Sequence, residues 1–209
     1  LTFASGLRSL VRQDPNIIMV GEIRDNETVD LAINASLTGH LVLSTLHTTS
    51  APGAIPRLID MDAEPFLISS TLNVILAQRL VRRLYQGKEK YLLKDSEIKN
   101  LEKYCDIDKI LAILKEEKLA KQKDNFGNIF FWRPKSSKEC PEGYKGRMGI
   151  YEVLPVTETI KEMITKQANT SQIHEQAVKE GMRTMVEDGF IKAAKGLTSI
   201  EEVLRVISE

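Results

Sequence analysis

Glu22 and His47 are the residues of this sequence whose types and positions best suit chemistry. Glu22 follows the apolar run Ile17-Ile18-Met19-Val20 and Gly21, and His47 follows Leu41-Val42-Leu43-Ser44-Thr45-Leu46. A carboxylate at the end of one buried strand, beside a second strand carrying Ser, Thr and His, suits a magnesium-nucleotide site. The carboxylate would hold Mg²⁺ or a Mg²⁺-bound water, and a neutral imidazole would donate to a phosphate oxygen. Plainer roles fit the same residues. Glu22 suits a turn in which it pairs with Arg24 or caps the next helix, and an isolated histidine at a strand end suits a structural part. His40 and His47 flank a strand and therefore do not share a helical face, as the histidines of an H-E-x-x-H zinc site do. Arg8, Arg12 and Arg24 have the reach for a phosphate or a neighbouring subunit, and equally for surface ion pairs, so they stay outside the catalytic set.

The elements that must position these groups are legible in the pattern. Asp14-Pro15-Asn16 precedes the first apolar run, which reads as a strand buried on both faces. Val29, Ile33 and Leu37 then recur at helical spacing, with Asp25 or Asn26 to cap the start and Gly39 to stop it. Leu41 to Thr45 is a second strand, and the helix between is long enough for the crossover a parallel pair requires. In such a βαβ unit both strands end at one sheet edge, where open α/β sheets bind ligands. Glu22 and His47 are expected to lie near one another there.

Downstream, Ser50 to Met61 and Pro65 to Leu84 read as helices, the second closing on Arg79, Arg82 and Arg83 as charge compensation for the helix end. A lysine-rich stretch from Gly87 to about Gly143 reads as an inserted subdomain. It carries helical patterns near Ser96 to Tyr104 and Asp108 to Lys118, and a turn at Asp124-Asn125-Phe126-Gly127. Trp132, between Phe131 and Arg133, suits core packing or an exposed docking position. Gly149 to Val153 reads as a strand, followed by helices at Thr157 to Lys166, Thr170 to Glu180, Thr184 to Lys195 and Thr198 to Ile207. Thr198 and Glu201 stand at capping-box spacing.

Composition narrows the classes. The 209 residues suit one large domain or a domain with an appendage. Lys+Arg and Asp+Glu both number 29, which gives no reason to expect a polyanion as partner. The greasiest stretch, Phe66 to Leu84, is broken by Ser69, Ser70, Thr71, Asn73, Gln78 and arginines, so it does not read as a membrane span. Cys105 and Cys140 are the two cysteines and make no disulfide framework. The chain opens at Leu1 without an initiator Met, which suggests a piece of a longer protein.

Whole strings sharpen this reading. Leu7-Arg8-Ser9-Leu10-Val11-Arg12-Gln13-Asp14-Pro15-Asn16-Ile17-Ile18-Met19-Val20-Gly21-Glu22-Ile23-Arg24-Asp25 resembles the Walker B segment of the type IV pilus assembly and type II secretion ATPases, with Glu22 at the Walker B glutamate. Leu37-Thr38-Gly39-His40-Leu41-Val42-Leu43-Ser44-Thr45-Leu46-His47-Thr48 is similar to that family's His box, and His47 matches the histidine that approaches the terminal phosphate. The likeness continues through Arg57-Leu58-Ile59-Asp60-Met61, Gln78 to Leu84, Gly143 to Arg147 and Gly181 to Met185.

The resemblance implies an α/β fold: the C-terminal part of a RecA-like P-loop NTPase domain, a mostly parallel sheet flanked by helices, with a small inserted subdomain and an α-helical C-terminal region. Residues 1–84 would be the C-terminal half of the ATPase core, 85–143 the insertion, and 144–209 a strand plus helices. It implies ATP and Mg²⁺ as ligands, a homo-hexamer in the full-length protein and an inner-membrane platform protein as partner; the neutral charge and the lack of a basic stripe argue separately against nucleic acid. The location implied is the cytoplasmic side of the inner membrane, reached through partner proteins. The insertion favours assembly or secretion over retraction, whose motors usually lack it.

Two departures stand out. No G-x-x-x-x-G-K-[ST] occurs in these residues, so this stretch alone is expected not to turn over ATP, and a non-catalytic scaffold or partner-docking module is the alternative reading. Family members often hold a structural zinc through two C-x-x-C pairs. Here Tyr85 and Lys88 stand near the first pair, and Cys140-Pro141-Glu142-Gly143 keeps one thiol of the second. No zinc is expected.

Overall fold

The computed structural model of the chain describes residues 15–208 together with Gly6, Ser9, Leu10, Arg12 and Gln13. Arg8 and Asp14, weighed above, lie outside the described residues. The chain divides into two compact units, 1–77 with 153–182 and 78–152 with 183–209.

In the first unit, β1 (Ile17–Val20) and β2 (Leu41–Ser44) form a parallel pair in the register Ile17↔Leu41 through Val20↔Ser44. The crossover is α1 (Asn26–Leu37). Asp25 is its N-cap, accepting the Thr28 N–H at 2.9 Å, and Gly39 ends it in a left-handed conformation at φ 95° that a side chain would resist. Val29, Ala32 and Ile33 bury one stripe of α1, whereas Leu37, at the same spacing, is exposed.

The expectation that β1 is buried on both faces is corrected. Val20 is 1% exposed but Met19 is 65% exposed, because α1 and its neighbours cover one face of the strand pair. Ile17, Met19, Leu41 and Leu43 line the other face, exposed among the described residues. Ile18, Val20 and Ile23 pack into a core with α2 (Ala54–Asp60), α3 (Pro65–Thr71), α6 (Glu158–Thr165) and α7 (Thr170–Lys179). Ile55, Ile160, Ile164 and Ile173 are fully buried there, each worth roughly 1.5–3 kcal/mol relative to exposure.

The single helix expected over Pro65 to Leu84 is also corrected. The chain leaves helical geometry at Leu72, whose ψ is 122°, and runs as strand β3 (Val74–Leu84). Apolar residues fill 74–77 without a period that separates helix from strand, and the β-branched Val74, Ile75 and Val81 fit a pleated surface better. β3 pairs with β6 (Tyr144–Pro155), which extends the strand expected at Gly149 to Val153 in both directions.

In the second unit, β4 (Glu89–Leu92) and β5 (Phe130–Arg133) pair antiparallel, with α4 (Asp95–Leu101) and α5 (Ile107–Glu116) in the chain between them. These pack on α8 (Met185–Ala194) and α9 (Ile200–Ser208) around Leu93, Leu101, Ile110, Leu114, Phe131 and Phe190. Phe126, Phe131 and Phe190 form a ring cluster, Phe131 meeting Phe190 edge-on at 6.2 Å between centroids. The inserted segment thus shares one core with the last two helices. Trp132 is half-buried, with the Lys88 ammonium 4.9 Å from its ring centre.

A buried carboxylate ties β3 to α9. Glu202 accepts the Arg82 backbone N–H at 2.9 Å, the Arg82 guanidinium at 2.6 Å and the Arg205 guanidinium at 3.0 Å. Burial alone would raise its pKa, but the bonds from Arg205 and Arg82 outweigh that and hold it at about 2. The arginines expected to end a helix therefore serve a strand, Arg82 also lying 4.3 Å from the Tyr144 ring centre. The cap at the start of α9 is shifted by one residue from the expected Thr198. Ser199 Oγ accepts the Glu202 N–H at 3.3 Å, and Thr198 instead donates its hydroxyl to Arg82 O at 2.8 Å. No helix among the described residues is long and apolar enough to cross a membrane.

Candidate functional site

The parallel register continues past the ends of β1 and β2. Ile23 N–H donates to Thr45 O at 3.0 Å and the Thr45 hydroxyl donates to Gly21 O at 2.7 Å, so the two segments leave the sheet side by side. Ile23 is buried, which anchors the turn and leaves Glu22 on its outer side. His47 follows Thr45 by two positions and faces it. The His47 Nε2 and Glu22 Oε2 atoms are 2.9 Å apart. Because the carboxylate accepts, Nε2 carries the proton in this arrangement.

The second Glu22 oxygen is held by Arg24, whose guanidinium lies 2.6 Å from Oε1. The Arg24 hydrogen bond first, and the His47 bond second, hold the Glu22 carboxyl below the usual carboxylate range. The side chains of His47 and Arg24 are mostly in solvent, and that of Glu22 is about one-third exposed at 33%. The result is an ionised, reachable carboxylate at the C-terminal edge of a parallel strand pair. Asp25 is occupied differently: the Thr28 backbone and hydroxyl both donate to it, and these bonds lower its pKa.

Both sequence-derived site residues therefore meet at one edge. His40 does not join them, since its Nδ1 lies 3.0 Å from both Ala35 O and Thr38 Oγ1 at the end of α1. Arg12 is exposed. Arg24 meets Glu22, the pairing that the plainer turn reading of that carboxylate expects. The Thr45 hydroxyl, which ties the two loops, has no signal in the pattern beyond being a polar residue at a strand end.

The donor set suits a hard cation held through one carboxylate and its water, the usual manner of Mg²⁺ beside phosphates. Among the described residues no group of three or more His, Cys, Asp or Glu could hold a metal by itself.

A family model described as type II/IV secretion system protein matches residues 1–205. The chain belongs to that family. Within it, this secretion-family chain is 47% identical over 210 residues to the type II secretion system protein E of Xanthomonas campestris pv. campestris, covering 100% of this chain and 34% of the relative. It is 40% identical to the type IV pilus assembly ATPase PilB of Myxococcus xanthus, covering 98% of this chain and 33% of that one. The secretion-family chain thus spans about a third of the length of the curated relatives it matches. Its α/β fold is shared with solved structures. The Legionella pneumophila ATPase DotB superposes with a TM-score of 0.61 at 21% identity, over 99% of this chain and 42% of that one. The pilus retraction motor PilT with bound ADP gives 0.62 at 24% identity, over 98% and 43%.

Proposed function

We propose that the full-length protein is a hexameric motor ATPase that couples ATP hydrolysis to type IV pilus assembly or type II secretion. In this reading Glu22 is the Walker B glutamate and His47 the His-box residue that faces the terminal phosphate. The observation that carries it is the Glu22–His47 pair at the C-terminal edge of the strands, where α/β proteins bind nucleotides.

Glu22 is ionised and reachable, so it can orient the water shell of a divalent cation without first losing a proton. His47 is positioned to exchange its bond to Glu22 for one to a phosphate oxygen, which couples the loop after β2 to the state of the nucleotide. Bound Mg²⁺ supplies neutralisation of the developing phosphate charge. Residues 1–84 carry this edge, 85–143 the insertion, and 144–209 a strand and helices. The phosphate-binding loop would come from outside this stretch, which by itself would not hydrolyse ATP. The partner that receives the motion is an inner-membrane platform protein, and the motor works at the cytoplasmic side of that membrane without nucleic acid.

The deciding experiment is Mg²⁺-dependent ATP hydrolysis by the full-length, ring-forming protein beside its Glu22→Gln variant. Turnover in the wild type alone supports the motor. Absence of turnover in any ring-forming preparation moves the assignment to a non-catalytic scaffold.

A further inference from the structure

The family resemblance implies a structural zinc where Tyr85, Lys88, Cys140 and Gly143 stand, and the donors at these positions do not fit one. A structural zinc needs four N, S or O ligands in a tetrahedron. Cys140 supplies the one thiol, and its Sγ is buried and donates to Tyr144 O at 3.1 Å. Gly143 has no side chain, and Lys88 presents an ammonium.

Each of the four positions makes another link instead. Tyr85 Oη donates to Glu139 Oε2 at 2.8 Å, and that bond, ahead of burial, raises the phenol pKa and keeps it a donor. Lys88 Nζ donates to Gly196 O at 2.6 Å, placing a cation at the carbonyl end of α8. The two stems also join through backbone, Tyr85 N–H donating to Gly143 O at 2.9 Å. The Cys140 turn is closed by Ser137 N–H to Cys140 O at 3.1 Å, Cys140 N–H to Ser137 Oγ at 3.1 Å and Gly143 N–H to Cys140 O at 3.0 Å.

Gly143 is held to this arrangement by sterics. Its φ is 69°, and a Cβ there would fall 2.7 Å from Pro134 Cβ and 2.8 Å from Lys135 N. A cysteine could not return to that position without moving backbone.

We infer that the stems of the 85–143 segment are closed by a metal-free clasp, in which Tyr85–Glu139, Lys88–Gly196 and Cys140–Tyr144 replace a metal centre. The clasp holds the insertion to the strands that flank it and to the end of α8, with no dependence on metal supply or on thiolate chemistry.

The test uses the full-length protein, with zinc content by elemental analysis and amide hydrogen exchange over residues 85–88 and 137–144. Less than stoichiometric zinc and exchange unchanged by a zinc-selective chelator are expected. The double variant Tyr85→Phe with Lys88→Met is expected to exchange on the order of tenfold faster across these stems, as loss of two hydrogen bonds of ordinary net strength implies. One zinc per chain whose chelation accelerates exchange, or a double variant that exchanges like the wild type, overturns the clasp. Local exchange separates both results from a general loss of folding.

Discussion

His47 Nε2 stands 2.9 Å from Glu22 Oε2, although the two residues are 25 positions apart in the chain. Their meeting depends on three further links: the β1–β2 register, the Ile23–Thr45 backbone bond and the Thr45 hydroxyl on Gly21. The pair gives two substitutions with different expected signatures.

Glu22→Gln keeps the shape of the side chain and removes the charge. In the full-length protein, turnover is expected to fall on the order of 10²–10³-fold, the scale seen when one group that stabilises transition-state charge is lost. Steady-state hydrolysis at saturating Mg²⁺-ATP is the measurement, and ordinary turnover would remove Glu22 from the site.

His47→Ala should lower the rate while leaving nucleotide affinity within a few-fold, because the imidazole is at the edge of the site and mostly in solvent. Fluorescent-nucleotide titration beside turnover separates the two quantities. Unchanged turnover would return His47 to a structural part.

Arg24→Gln tests the remaining contact of Glu22. The Arg24 hydrogen bond is the largest cause of the depressed Glu22 pKa, so removing it moves that pKa upward, toward the ordinary carboxylate range. Side-chain carbon NMR of Glu22 across an acid titration reads the shift. Stability should change little, because solvent screens so exposed an ion pair.

Glu202 governs acid behaviour in the second unit. Its folded-state pKa, about 2, lies below its unfolded value near 4.5. The stabilisation is therefore fully present above about pH 4.5 and is lost as pH falls toward about 2. A shift of that size corresponds to on the order of 2–3 kcal/mol once solvent around the two arginines is allowed for. Glu202→Gln is expected to be less stable than wild type at pH 7, with the difference narrowing as the pH falls. Urea unfolding of both proteins over this range checks it; a difference independent of pH would assign the loss to packing.

Phe190 lies on α8 yet packs on Phe126 and Phe131 of the inserted segment. Phe190→Ala should cost about 3–5 kcal/mol, as for other buried aromatic truncations. It should also loosen the insertion and the last two helices together, read by hydrogen exchange in both. Loss confined to α8 would mean that the insertion has a core of its own.

What the sequence determined by itself was local. The βαβ unit, a cap at Asp25 or Asn26, the Gly39 stop and the placement of Glu22 and His47 at one edge all follow from periods and capping residues within a few turns of chain. The strings around Glu22 and His47 also carried the family. The tertiary structure decided what depends on distant partners. Residues 74–84 are apolar and arginine-rich in a pattern that suits helix or strand, and pairing with β6 makes them a strand. Thr198 and Ser199 are both good caps, and the demand of Arg82 O for a donor directs Thr198 away from the helix. The insertion joins α8 and α9 because its rings need a third face to bury, a fact held in Phe190 and not in residues 85–143. Periodicity records which side of an element is apolar; which other element covers that side is settled by packing over the whole unit.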